Sequence, residues 1–231
     1  KTMEIKKYRL TWETVQISRN GTEVTLYRVQ ALRDFGNIKA GDLGGYIESE
    51  QNLAHKGDCW VADNAWVYGG AAVYGDAKVW GNAKVWGNAQ VYGSARVYGD
   101  TQVYGGANVY DSAKVYSNAH VSEYAEVCGD AKVSGYAQVF GCAKIYGNAE
   151  VYGCSRVYGD ARVWGDTEVY GDTEVYGGAK VFDCARVFGC AKIYGHAVVG
   201  DTARVYENAK VTGYAVVDGK SKVCGDTVLG E

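Results

Sequence analysis

The sequence has no proline, and it is poor in leucine, methionine and phenylalanine. Proline lacks the backbone N–H that a central strand must donate, so a chain without it can pair along its whole length. The scarcity of large apolar side chains excludes an ordinary globular core. Valine, alanine and tyrosine supply most of the 47% of hydrophobic residues, and this content also excludes simple disorder.

Several functional signatures are absent as well. No apolar run approaches the roughly 18 residues of a membrane span, and we expect no signal peptide. The formal net charge of −3 gives no overall basic character for nucleic acid or an acidic membrane. We therefore expect no membrane partner.

A six-residue repeat dominates the chain. From Val61 to Leu229 every sixth residue is aliphatic, without one insertion or deletion. A small residue, usually alanine, stands two positions earlier, and an aromatic residue usually follows. The unit ends in glycine and then Asn, Asp, Gly, Ser or Cys, as in the segment from Ala77 to Asn82.

This unit predicts one side of a three-sided coil. The alternating pattern is typical of a short strand with Ala and Val on one face. The glycine, followed by Asn, Asp or Gly, supplies the backbone positions that tolerate the positive φ of a tight corner. Three units make a coil of 18 residues, and successive coils pair as parallel strands about 4.8 Å apart. The sequence thus predicts an all-β rod of stacked coils around a valine core.

The first part of the chain follows another pattern. Two alternating segments, 15–18 and 24–27, flank Asn20-Gly21, which is a strong hairpin signal. We predict an N-terminal hairpin and capping segment over residues 1–52, which closes the first coil, and a β-helix over residues 53–231. The last residues, from Thr227, carry no recognisable cap, so we expect that end to be covered by another subunit or frayed.

The repeat resembles that of the hexapeptide superfamily of left-handed parallel β-helices, over residues 59–231. The stretches 31–35, 40–45 and 58–60, followed by hexapeptides, resemble YdcK-type proteins of bacteria and phages, a family described as acyl- or acetyltransferases. The resemblance implies a left-handed, three-sided solenoid, and it offers acyl transfer from CoA or acetyl-CoA as one activity.

The seven cysteines fit neither disulfides nor a metal site. No two of them are separated in sequence by one coil, the spacing that would place them side by side on adjacent coils. There is also no Cys-x-x-Cys motif or Cys/His cluster. We predict seven free thiols, no metal, and a cytoplasmic location, where thiols stay reduced.

The transferase activity that the resemblance implies needs a base, typically a histidine. The candidate is His120, with Glu123 and Glu126 nearby in sequence. The solenoid has no insertion from which to build a catalytic pocket, so the sequence favours a protein that is not an enzyme and needs no cofactor. Around His120 the aromatic column is interrupted at Ser122, Cys128 and Ser134, which predicts a groove.

The alternative site is a ladder on one side of the solenoid. Cations and aromatic residues recur there at a spacing of one coil, and like charges directly opposite each other attract an anionic partner. The predicted binding residues are Lys78, Trp80, Arg96, Tyr98, Lys114, Tyr116 and Lys132.

The sequence therefore favours a non-catalytic solenoid scaffold that binds a protein or an anionic or glycan ligand. Two alternatives stay open: an acyl-CoA-dependent acyltransferase, and an aromatic ladder that binds carbohydrate or nucleic acid. A homo-oligomer through the C-terminal coil or a flat side is also expected.

Overall fold

The computed structural model describes residues 5–230, and these form a three-sided parallel β-solenoid that an N-terminal hairpin extends. Successive coils pair in parallel and in register, as Val97 does with Val115. One sheet runs along each side of the rod, and the second face has ten strands, one for each coil. The predicted all-β solenoid is confirmed.

The strands of the coils are two residues long, and each face contains one per coil. The first face comprises β1 (Tyr8–Arg19), β2 (Thr22–Ala31), β3 (Leu43–Ile47), Trp66–Val67, Lys84–Val85, Gln102–Val103, His120–Val121, Gln138–Val139, Arg156–Val157, Glu174–Val175, Lys192–Ile193, Lys210–Val211 and Val228–Leu229. The second face comprises Trp60–Val61, Lys78–Val79, Arg96–Val97, Lys114–Val115, Lys132–Val133, Glu150–Val151, Glu168–Val169, Arg186–Val187, Arg204–Val205 and Lys222–Val223. The third face comprises Ala72–Val73, Gln90–Val91, Asn108–Val109, Glu126–Val127, Lys144–Ile145, Arg162–Val163, Lys180–Val181, Val198–Val199 and Val216–Val217. A 3-10 turn covers Glu50–Asn52.

The core is a column of valine and alanine. The valine of each strand and the alanine two residues before it are fully buried along most of the rod. At several positions a hydroxyl residue replaces alanine and bonds back to the chain: Thr101 donates to the Tyr98 carbonyl at 2.6 Å, and Ser155 donates to that of Tyr152 at 2.7 Å. Such local bonds satisfy the polar group inside the apolar column.

The corners require a backbone with positive φ. Gly153 has φ of +71°, and a Cβ there would lie 2.8 Å from the backbone nitrogen of Gly171 in the next coil. A few corners carry acidic residues instead, and at most of these the carboxylate accepts a bond from the next coil. Asp111 accepts from the Gly129 N–H at 3.2 Å, and Glu207 accepts from that of Gly225 at 2.6 Å.

The predicted hairpin is present. Strands β1 and β2 pair in an antiparallel manner through a turn at Asn20 (φ +50°) and Gly21 (φ +77°). Strand β2 then pairs with β3, and β3 pairs in parallel with the first-face strand Trp66–Val67. Gly45 allows this contact, because a Cβ there would lie 2.5 Å from the Ala65 carbonyl, next to Trp66. The hairpin thus continues the first face.

A buried polar cluster joins the hairpin to the first coil. The Lys7 amine, fully buried, donates to the Cys59 carbonyl at 2.7 Å and to the Gly57 carbonyl at 3.2 Å. Burial lowers the pKa of Lys7. The Tyr8 ring stacks on His55 with a centroid distance of 4.3 Å, and its hydroxyl donates to the Leu53 carbonyl at 2.6 Å. These contacts close the end of the valine column.

The solenoid pairing begins before the regular repeat does. Ile47 pairs with Val67, and Leu53 pairs with Val73, so the turn of chain at this end is slightly longer than a regular coil. The division of the chain at residues 52 and 53 stays a prediction, and β3 shares a sheet with the coils that follow it.

In the C-terminal coils some apolar side chains are exposed, with Val216 at 61% and Val228 at 41%. Cover of this end by another subunit stays a prediction. Within residues 5–230, no helix has the length and apolar character that crossing a membrane would require.

Candidate ligand-binding surface

The second face presents two outward columns side by side. One contains the residue before each valine and the other contains the residue after it. In the second column Trp80 stacks on Tyr98 with a centroid distance of 4.3 Å, and Tyr98 stacks on Tyr116 at 5.1 Å. Their planes lie within 7° of parallel. Burial in this stack raises the pKa of Tyr98.

The first column places cations directly opposite one another. Lys78 pairs in register with Arg96, and Arg96 pairs with Lys114. Lys78 donates to the Asn37 side-chain oxygen at 2.9 Å. Within residues 5–230, neither Arg96 nor Lys114 forms an ion pair with a carboxylate. The predicted basic ladder is therefore positively charged at these three coils.

The fourth predicted cation differs from the others. Lys132 donates to Glu150, one coil later, at 2.7 Å, and this bond raises the pKa of Lys132. The sequence prediction placed Lys132 among the binding residues; in the structure a carboxylate of the next coil pairs with it, and its part in binding stays a prediction. Lys192 and Glu174 form the same kind of pair at 3.1 Å.

A cavity of about 440 Å³ lies where the N-terminal segment meets the second face. It brings together three predicted binding residues, Lys78, Trp80 and Arg96, and it does not include Tyr98, Lys114, Tyr116 or Lys132. The remaining lining residues are Asn37, Ile38, Trp60, Ala62, Asp63 and Val79.

The cavity coincides with the end of the aromatic stack. Ala62 stands one coil before Trp80, in the column that rings occupy in the next three coils. One face of the Trp80 indole contacts Tyr98, and the other faces the coil in which that ring is missing. The cavity therefore combines an indole face that no ring of this column covers with two cationic side chains.

The candidate base and its carboxylates are not assembled into one site. His120 lies on the first face, whereas Glu126 lies on the third face and accepts from Lys144 at 3.2 Å. Glu123 lies at the corner and accepts from the Gly141 N–H at 2.9 Å. His120 and Glu123 share a shallow cavity of about 230 Å³, so the structure brings only these two of the three together.

The predicted interruption of the aromatic columns is present. Within residues 5–230, the rings that directly follow the valines form six stacks, three on each side of the coil that contains Ser122, Cys128 and Ser134. On the N-terminal side the stacks are Tyr68–Trp86–Tyr104, Trp80–Tyr98–Tyr116 and Tyr74–Tyr92–Tyr110. On the C-terminal side they are Phe140–Tyr158–Tyr176–Tyr194, Tyr152–Tyr170–Phe188–Tyr206 and Tyr146–Trp164–Phe182.

Sequence reasoning missed part of the cavity lining. Trp60 stands one coil before Lys78, so its place in the charged column was available from the spacing. Asn37 and Ile38 lie outside the repeat, and their contact with the second face has no signal in the periodicity. The seven cysteines are unpaired, and no three His, Cys, Asp or Glu side chains converge on a metal site in the described residues.

Two comparisons with known proteins identify similar sequences. A family model described as "YdcK Beta solenoid repeat" matches residues 89–105, a segment that contains Arg96 and Tyr98. "Uncharacterized acetyltransferase YdcK" of Escherichia coli (strain K12) is 40% identical over 63 residues. That match covers 26% of this chain and only 19% of the E. coli protein. Both comparisons confirm the resemblance to YdcK-type β-solenoids.

Proposed function

We propose that this protein is a non-catalytic β-solenoid scaffold that binds an anionic ligand on its second face. The observation that carries the proposal is the cavity in which Lys78 and Arg96 stand beside Trp80. A ligand that suits it has a ring, which stacks on the indole, and an anionic group within reach of both cations. Stacking and charge-assisted hydrogen bonds then act on one molecule.

The electrostatics of the column support this proposal. Lys78, Arg96 and Lys114 repel one another, and holding them side by side costs free energy. Within residues 5–230, no carboxylate pairs with Arg96 or Lys114 to offset this repulsion. An anion bound between Lys78 and Arg96 relieves that repulsion. Binding should therefore weaken as ionic strength rises, because these side chains are partly exposed and salt screens them.

The test uses glucose 6-phosphate and adenosine monophosphate as ring-bearing anions, and inorganic phosphate as the anion without a ring. Calorimetry should show binding of at least one ring-bearing probe, tighter than that of phosphate. Arg96→Gln and Trp80→Ala should each weaken it by about tenfold or more.

Arg162→Gln and Trp164→Ala are the matched controls. These residues occupy the same two columns on the third face, where Trp164 is also stacked within its column. They should leave the affinity unchanged. Equal losses in both pairs of variants would contradict a site on the second face.

A second candidate function is acyl transfer from acyl-CoA, which the partial similarity to the E. coli protein favours. The cavity beside His120 does not fit CoA, because no lysine or arginine lines it to bind a pyrophosphate. Thermal melts with CoA and acetyl-CoA, together with the mass in solution, test this alternative. The scaffold proposal predicts an unchanged melting temperature, whereas a trimer that CoA stabilises would favour the transferase.

A further inference from the structure

The first face contains a gap in its aromatic column at Ser122. Tyr104 and Phe140 occupy the same column one coil before and one coil after it, because Val103 pairs with Val121 and Val121 pairs with Val139. The stack from Tyr68 ends at Tyr104, and the next begins at Phe140. The two rings therefore face each other across one missing ring.

The height of this gap decides what fits it. Two strand spacings of about 4.8 Å separate the coils of Tyr104 and Phe140 by about 9.6 Å. Stacked rings of this column lie 4.5–5.9 Å apart from centroid to centroid, so the gap has the height of one ring. A pyranose is also one ring thick, and the C–H bonds on both of its faces can pack against the two aromatic walls.

The rim of the gap is polar. The cavity of about 230 Å³ is lined by Tyr104, His120, Ser122, Glu123, Gln138 and Phe140. Ser122 is nearly buried at 7% exposure and forms the floor. Within residues 5–230, no hydrogen bond holds the His120 imidazole, the Gln138 amide or the Ser122 hydroxyl, and Glu123 uses only one of its oxygens.

We propose that this gap is a binding site for one pyranose sugar, held between Tyr104 and Phe140. The C–H faces of the sugar ring pack on the two aromatic walls. Its hydroxyls, which project from the ring edge, exchange hydrogen bonds with His120, Gln138 and Glu123 at the rim. The site is distinct from the anionic site on the second face and shares no residue with it.

The same coil shows why the first face is favoured over the other two. On the third face the hydroxyl of Tyr110 donates to Glu126 at 3.3 Å, beside the Lys144 pair. On the second face the bond between Lys132 and Glu150 lies beside Ser134. These charged groups are engaged with one another, whereas the polar groups at the rim of the first-face gap have free hydrogen-bonding capacity.

The test fills the gap with the residue that other coils carry there. Ser122→Tyr should insert a ring between Tyr104 and Phe140 and extend the stack, without loss of stability. Ser134→Tyr, on the second face of the same coil, is the matched control. A panel of methyl glucoside, methyl galactoside and N-acetylglucosamine is measured by saturation-transfer NMR, with adenosine and uridine as flat-ring probes.

We expect at least one pyranoside to bind the native chain at millimolar concentration. Ser122→Tyr should weaken this binding by about tenfold or more, while Ser134→Tyr leaves it unchanged. The proposal is overturned if no pyranoside binds, if both variants bind alike, or if only the nucleosides respond. Phosphate-bearing probes report on the second-face site separately, so failure of one site does not imply failure of the other.

Discussion

At the scale of single residues, the corners between strands restrict the choice of residue most strictly. Each needs a positive φ and has the backbone of the next coil close to where a Cβ would stand, as at Gly153. Asp111 and Glu123 meet the same demand with a carboxylate that accepts an N–H from the next coil. Glycine meets this demand without strain, and at most of the acidic corners the carboxylate offsets part of the strain with its bond to the next coil.

Gly153→Asp should consequently be far milder than Gly153→Val. The aspartate can accept the Gly171 N–H, as Asp111 accepts that of Gly129. A β-branched residue at positive φ has no such offset and should cost about 1–3 kcal/mol. Thermal melts of the two variants measure the difference, and equal melting temperatures would refute this account of the corners.

The tyrosine stacks make stability depend on alkaline pH. The pKa values of Tyr152 and Tyr158 are raised to about 12. Burial is the larger cause, and interactions with Glu168 and Glu174 are the second. An unfolded tyrosine ionises near pH 10. The folded state therefore keeps these protons to a higher pH than the unfolded state does. The stabilisation of the fold that results is complete below about pH 10 and is lost as pH rises towards 12.

We accordingly expect the melting temperature to fall between about pH 10 and 12. Tyrosinate absorbance should rise at higher pH in the folded chain than in the unfolded chain. Tyr158→Phe should flatten the fall, since one of the shifted groups is removed. A melting temperature that is constant over this range would contradict the raised pKa values.

The spacing of residues predicted most of the ladders but not the state of each charge. Lys78, Arg96 and Lys114 align because each is one coil from the next, and the structure confirms that alignment. The same rule placed Glu150 beside Lys132, so the neutralised cation was available from the sequence. The sequence prediction compared only the cations of this column and did not compare Lys132 with the residue one coil later, Glu150.

At the scale of the elements, the cap is the least regular part of the chain. The hairpin was predictable because Asn20-Gly21 encodes its turn locally. The entry of β3 into the first face was not, because the segment from Ile47 to Val67 is longer than one regular coil and falls outside the hexapeptide period. Contacts of Asn37 with Lys78 depend on tertiary packing alone.

The buried Lys7 should hold this cap in place. Lys7→Met keeps the side-chain length but leaves the carbonyls of Gly57 and Cys59 without their donor. Unpaired buried acceptors cost about 1–3 kcal/mol, so the cap should be destabilised by that order. Lys6→Met is the control, because the exposed pair of Lys6 with Glu50 is worth less than about 1 kcal/mol.

Hydrogen exchange of the amides in β2 and β3 localises the effect. Exchange should accelerate in Lys7→Met and remain near the native rate in Lys6→Met. If the two variants behave alike, the buried amine is not what secures the hairpin to the first coil.

At the scale of the whole molecule, the coils are interchangeable units. The regular register is kept from the pairing of Val61 with Val79 to that of Val211 with Leu229. Each coil contacts only its neighbours, so stability is close to a sum over coils and their interfaces. The fold was predictable because one local rule repeats without an exception over this length.

Removing one whole coil should thus preserve the fold. Deletion of residues 165–182 joins Trp164 to Asp183 in the correct phase, and all three columns continue. Deletion of residues 165–173 joins strands out of phase and should place valines on the solvent side. Circular dichroism and X-ray scattering test this: the longer deletion should give a rod about 4.8 Å shorter with native β-content, and the shorter one a disrupted chain.

The unbroken register also has a consequence for inheritance. Neighbouring coils share the hexapeptide pattern in their amino-acid sequence, so an in-frame insertion or deletion of one whole coil keeps that pattern. The protein with one coil more or one coil fewer should still fold. The distance between its N-terminal hairpin and its last coil then changes by the height of one coil. Selection can then change the length of the solenoid in steps of one coil, independently of what either site binds.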